Sequence, residues 1–157
     1  MAQMRKKSGQ PLQIVQVGGR DIGEAVALLA AQMREHRVRI SKARIENAVR
    51  NLVERPERGF VLLALADGEA IGVAYVTFMY PLEFGGLSSW LEELYVVPAR
   101  RQNGIGNKLL LAARKRARDQ GCAAMDLEIE AEHARAAHLY DRDGFRKLSR
   151  ERWVRRL

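Results

Sequence analysis

The stretch Leu91-Glu92-Glu93-Leu94-Tyr95-Val96-Val97-Pro98-Ala99-Arg100-Arg101-Gln102-Asn103-Gly104-Ile105-Gly106-Asn107-Lys108-Leu109-Leu110 decides how the rest of the chain is read. An apolar strand stops at Pro98, a basic turn with two glycines follows, and an apolar-periodic helix begins. The first N–H groups of such a helix have no partner within it. Together with the positive end of the helix dipole they form an anion site. Arg100, Arg101 and Lys108 add formal charge at the same place. A phosphate-bearing ligand suits it.

Outward from this stretch, the pattern is mixed α/β. Leu12, Ile14 and Val17 suggest a first strand. Asp21 and Glu24 suggest a capping box, and Ile22, Ala25, Val26, Leu29 and Met33 lie on one helical face. Ser41 can cap a second helix, with Ile45, Ala48, Val49, Leu52 and Val53 inward and Pro56 as its stop. The runs 60–65 and 70–80 flank Asp67-Gly68, a hairpin signal. Segment 81–89 is a turn-rich link, and 90–97 is the fourth strand. The helix from Gly104 turns Ile105, Leu109, Ala112, Ala113 and Ala117 inward, with Gly121 as its C-terminal glycine. A strand over 124–130, a helix over 133–142 and final strands at 145–148 and 153–157 complete the expectation. This order predicts a mostly antiparallel sheet of six to seven strands flanked by about four helices.

With 157 residues, 47% hydrophobic and 29% charged, the composition is that of an ordinary globular domain. The expected organisation is a flexible basic tail at 1–10, which lacks the apolar segment of a signal peptide, and a single domain at 11–157. No apolar run is long enough for a membrane span. A lone Cys122 favours a reducing, cytoplasmic setting and reads as a small packed residue rather than a nucleophile. The net charge of +8 is read as solvated helix faces rather than nucleic-acid binding, because aromatics are only 6% of the chain. No His, Cys and carboxylate grouping has zinc spacing, so no metal is expected.

Other glycine-rich turns fit less well. A dinucleotide fingerprint would need a third glycine where Leu109 stands, and a triphosphate loop would need Gly-Lys-Ser/Thr. Two glycines easing a tight turn would explain the glycines but not the flanking cations. Arg101-Gln102-Asn103-Gly104-Ile105-Gly106 fits the pattern Arg/Gln-x-x-Gly-x-Gly/Ala, and Ala136, Leu139-Tyr140 and Gly144-Phe145 stand downstream. On these motifs the chain resembles the GCN5-related N-acetyltransferases over roughly residues 60 to 146.

The resemblance implies acetyl-CoA as acetyl donor. Backbone N–H groups of Gln102, Asn103, Gly104, Ile105, Gly106 and Asn107 would take the pyrophosphate, with Arg101 and Lys108 assisting. The edge at Leu94, Tyr95 and Val96 would pair with pantetheine as an added strand. Leu91 to Val96 is similar to a strand of the polyamine and thialysine branch, which implies that Glu92 binds or deprotonates the amine. The alternative for Glu92 is a surface carboxylate paired with an arginine. Glu92 and Glu93, being adjacent, are expected on opposite faces. Tyr140 would protonate the departing thiolate. His133 stands where the family usually has a pantetheine-binding Asn, and Ala136 belongs to the same cofactor-binding motif. The acceptor implied is the primary amine of a small cationic molecule, such as a polyamine, amino acid or amino sugar. Glu83, Glu92, Glu128 and Glu130 would suit it. Alternatives are a protein N-terminus, or a CoA-binding regulatory module without turnover. Family habit adds a homodimer.

Overall fold

The computed structural model describes residues 11–130, 133 and 136–157. The expected tail at 1–10 lies outside the described residues. Two compact units are present, one running through Leu127 and one of Glu128–Leu157.

The first unit is a sheet of five strands in the order β1 (Gln13–Gln16), β2 (Gly59–Ala66), β3 (Glu69–Met79), β4 (Ser88–Val96) and β5 (Met125–Leu127). All neighbours are antiparallel except β4 and β5, which run parallel. Asp67 (φ 53°) and Gly68 (φ 80°) form the β2–β3 turn, the left-handed pair that a two-residue hairpin requires. Helices α1 (Ile22–Glu35) and α2 (Lys42–Glu54) pack on one sheet face, where Ala25, Val26, Leu29, Ile45 and Val49 meet Val61, Leu63, Val73 and Tyr95. Ser41 Oγ accepts from Arg44 N–H at 3.3 Å, as expected of a cap. Asp21 differs. It sits in a 3₁₀ turn, and its carboxylate accepts from Gly18 N–H at 2.9 Å instead of capping α1.

Helix α3 (Ile105–Asp119) covers the opposite face, burying Ile105, Leu109, Leu110, Ala113 and Ala117. Gly72 makes this contact possible. A Cβ there would lie 2.9 Å from Leu109 Cδ1 and 3.0 Å from the Tyr95 carbonyl oxygen. Because β4 and β5 are parallel, their connection must cross over the sheet, and α3 is that crossover. It places the glycine turn at the C-terminal end of β4.

The strand expected over 124–130 is confined to Met125–Leu127, which pairs with Ser89–Leu91 alone. The cause lies in β4. Its register against β3 shifts between Tyr75/Val76, so Leu91 faces Val76, Glu93 faces Tyr75 and Glu92 is the extra residue. A bulge bends its strand, and here the bend ends the β5 pairing.

The second unit holds α4 (Ala137–Arg142), followed by Gly144 at φ 88°. The helix expected over 133–142 is thus seen from Ala137, and residues 131, 132, 134 and 135 lie outside the described residues. The final strands expected at 145–148 and 153–157 do not form, so the sheet has five strands rather than six or seven. Trp153 and Val154 are 86% and 88% exposed. An apolar run becomes a strand only where a neighbouring edge satisfies its backbone, and none pairs with this one.

Candidate active site

The two sides of β4 are paired unequally. Val97 N–H donates to the Ile71 carbonyl at 2.9 Å, so residue 97 directs its backbone toward β3. Antiparallel alternation then sends Tyr95 the same way, and turns Leu94 and Val96 toward the side β5 has left. This narrows the expected edge. Tyr95 contributes a buried ring, not an outward amide, and is 7% exposed. Val96 is partly spent too, because its carbonyl accepts from Arg101 Nε at 2.9 Å.

Arg101 was expected to assist with phosphate. Its guanidinium is instead held within the fold, donating from Nη2 to Glu35 Oε2 at 2.7 Å and lying 5.4 Å from the Tyr95 ring centroid. The bond to Glu35 raises the Arg101 pKa further above its ordinary value. The residue fastens the end of α1 to the end of β4.

Beyond it the backbone turns sharply into α3. Gln102 (φ 63°) and Gly104 (φ 73°) both take left-handed conformations, a kind of backbone in which successive N–H groups can converge on an anion. Asn103 staples the turn, donating from Nδ2 to the carbonyls of Arg100 and Arg101 at 3.3 and 3.0 Å. Its side chain is therefore committed to shape. Lys108 N–H bonds the Gly104 carbonyl at 3.1 Å, and the N–H groups of Ile105, Gly106 and Asn107, the first turn of the helix, have no backbone partner among the described residues. A Cβ on Gly104 would meet nothing within 4 Å, so the space above it is open. Asn107 and Lys108 are exposed.

Glu92 is the exposed residue of the bulge. The bulge corrects the expectation of opposite faces. Cross-strand partners share a face, so Glu93 shares that of Tyr75. Glu92 reaches the same face, where its Oε1 accepts from Thr77 Oγ1 at 2.9 Å. Among the described residues no Lys or Arg pairs with Glu92, although the chain carries 27 of them. Tyr75, missed by the sequence reading, donates its hydroxyl to the Ala48 carbonyl at 3.3 Å. Its pKa is pushed up to about 12, first by burial and then by the nearby Glu92 charge. A phenol so held stays neutral and is a wall, not a base. Strand alternation could have flagged Tyr75, but nothing local tied it to Glu92.

In the second unit, the Tyr140 ring stacks edge-on against Phe145 at 5.7 Å, and its carbonyl accepts from Phe145 N–H at 3.0 Å. His133 Nδ1 lies 3.6 Å from Glu130 Oε2, and Ala136 precedes α4. Glu128 pairs with Arg152. Glu128 and Glu130, both expected to suit a cationic acceptor, thus lie beside basic side chains of the fold. Burial pushes the Cys122 thiol up, which agrees with an unreactive packed residue.

Residues 24–145 match the model of the acetyltransferase (GNAT) family. The chain belongs to that family. An aminoglycoside N(6')-acetyltransferase type 1 of Klebsiella aerogenes is 37% identical over 101 residues, covering 61% of this chain and 65% of that protein. An uncharacterized N-acetyltransferase of Bacillus subtilis, YhfO, is 33% identical over 108 residues, covering 66% and 64%. The chain thus spans just under two thirds of the length of these two relatives. Among solved structures, an aminoglycoside N-acetyltransferase in complex with CoA superposes with a TM-score of 0.81 at 20% identity, covering 93% of this chain and 95% of that one. That likeness is one of fold. In this GNAT chain the motif turn, the splayed strand edge and the bulge carboxylate all lie along β4 and its exit.

Proposed function

We propose that this chain transfers the acetyl group of acetyl-CoA to a primary amine of a small cationic molecule, an amino sugar first among them. One observation carries the reading: β4 parts from β5 after Leu91, and its outward Leu94 and Val96 lead directly into the backbone cradle at 102–107. Pantetheine is peptide-like and can pair with such an edge, while the pyrophosphate meets the N–H groups of the turn. With Val96 O already bonded, the outward groups left for the arm are those of Leu94 and the N–H of Val96. Lys108 supplies exposed charge beside the cradle.

The amine nitrogen attacks the thioester carbon, and the C–S bond breaks. Glu92 takes the ammonium proton, directly or through water. Tyr140 returns a proton to the thiolate. An outward N–H of β4 stabilises the oxyanion. The amino-sugar preference draws on the aminoglycoside relative and on a carboxylate that, among the described residues, no Lys or Arg pairs with.

The test is incubation of the purified chain with acetyl-CoA and a panel of polyamines, amino acids, aminoglycosides and N-terminal peptides, reading free thiol. Release with a cationic small amine is expected. Release with peptides alone would move the acceptor to a protein N-terminus. Tight CoA binding with no release from any amine would make the chain a regulatory module. Tyr140→Phe is expected to cut turnover while leaving acetyl-CoA affinity near wild type; unchanged turnover would remove its acid role.

A further inference from the structure

The bulge explains where Glu92 is, but not what aims it. A glutamate side chain on an exposed bulge has three rotatable bonds to be fixed. Among the described residues the group that engages it is the Thr77 hydroxyl of β3, 2.9 Å from Oε1. A hydroxyl is an unusual choice in a chain of +8 net charge. A lysine or arginine would hold the carboxylate more tightly, yet it would also occupy the position an ammonium must take and weaken the carboxylate as a base. A threonine fixes the side chain and leaves its charge unspent.

We propose that Thr77 is a positioning residue for the acceptor amine: its hydroxyl engages Oε1 of Glu92 so that Oε2 is presented to the incoming nitrogen. This rests on the reading of Glu92 as amine ligand and base. Stereochemistry agrees with the role. Thr77 is β-branched, so its χ1 is restricted by the strand, and its backbone is paired to Gly59 and Trp90 on either side. The hydroxyl is therefore delivered from a rigid platform, whereas its acceptor is flexible. Tyr75, two residues earlier on the same face, directs its proton to Ala48 and so does not compete for Oε1.

The test is a double-mutant cycle read in steady-state kinetics on the best amine of the panel. Thr77→Val keeps the branching and volume but removes the donor. It is expected to lower kcat/KM for the amine about 10-fold, the usual scale for losing a hydrogen bond to a charged group, with KM for acetyl-CoA unchanged. Thr77→Ser restores the donor and is expected to recover activity to within about 2-fold. In a Glu92→Gln background, Thr77→Val should have almost no further effect, because the two act as one unit. Full activity of Thr77→Val beside an impaired Glu92→Gln overturns the Thr77 role and leaves the Glu92 role standing. Additive losses, or failure of Thr77→Ser to rescue, also overturn it. Full activity of Glu92→Gln overturns the base itself. A thermal melt of each variant separates lost kinetics from lost fold.

Discussion

The two halves of β4 are one strand built for two purposes. From Ser89 to Leu91 it is paired on both sides, and Ser88, Ser89 and Leu91 are buried. Even the serine hydroxyls are consumed, both donating to the Ala124 carbonyl at 3.1 Å. From Glu92 to Val96 it keeps β3 on one side and loses β5 on the other. One inserted residue divides the halves. A single bulge can divide one strand into a fully paired half and an open-edged half without a change of element.

Four substitutions bear on that division. Glu92→Gln, in the open half, is expected to reduce turnover by about 10²–10⁴-fold while leaving the melting temperature and acetyl-CoA binding close to wild type. Wild-type rates in an amine assay would mean the open half holds no base. Leu91→Ala, one residue away and 4% exposed, should do the reverse. Its unfolding free energy should fall by about 2–5 kcal/mol in a urea titration, with kinetics of the folded fraction retained. A similar kinetic loss in both variants would erase the distinction.

Tyr75 reports on the boundary itself. Folded Tyr75 keeps its proton to about pH 12, whereas the unfolded phenol loses it near its ordinary value of 10. The folded state therefore binds more protons in that window, and stability falls as pH rises through it. The contribution is fully present below pH 10. Because the phenol is partly solvated, the loss should be about 1 kcal/mol. Tyr75→Phe should remove this alkaline component from a stability–pH curve measured beside wild type, and equal slopes would count against the buried phenol. Smallest is Glu35→Gln. Its pair with Arg101 is largely solvated, so about 0.5 kcal/mol or less should be lost, and added salt should narrow the gap to wild type. A much larger effect would make the α1–β4 fastening part of the site's architecture.

The features legible in the sequence share a local origin. Asp67-Gly68 makes its turn through left-handed backbone angles, Ser41 caps through its own hydroxyl, and Gly104 opens α3 with a positive φ. Helical spacing marked Ile22, Ala25, Val26, Leu29, Ile45, Val49 and Leu52 for burial, and these are buried, whereas Met33, Ala48 and Val53, marked likewise, are half-buried. Leu28 and Gln32 were missed on α1, and Gln32 Oε1 is buried without a partner among the described residues. The pattern at 153–157 looked like a strand because alternation records a preference for burial, not the existence of a partner edge.

By itself, then, the sequence determined the strand, the glycine turn and the helix that follows it, because capping, turn chemistry and periodicity act over a few residues. Tertiary structure alone decided the bulge that brings Glu92 and Glu93 to one face, the engagement of Arg101 by Glu35, and the early end of β5. Each depends on which distant backbone or side chain supplies the hydrogen-bond partner. Residues adjacent in sequence carry no record of that choice.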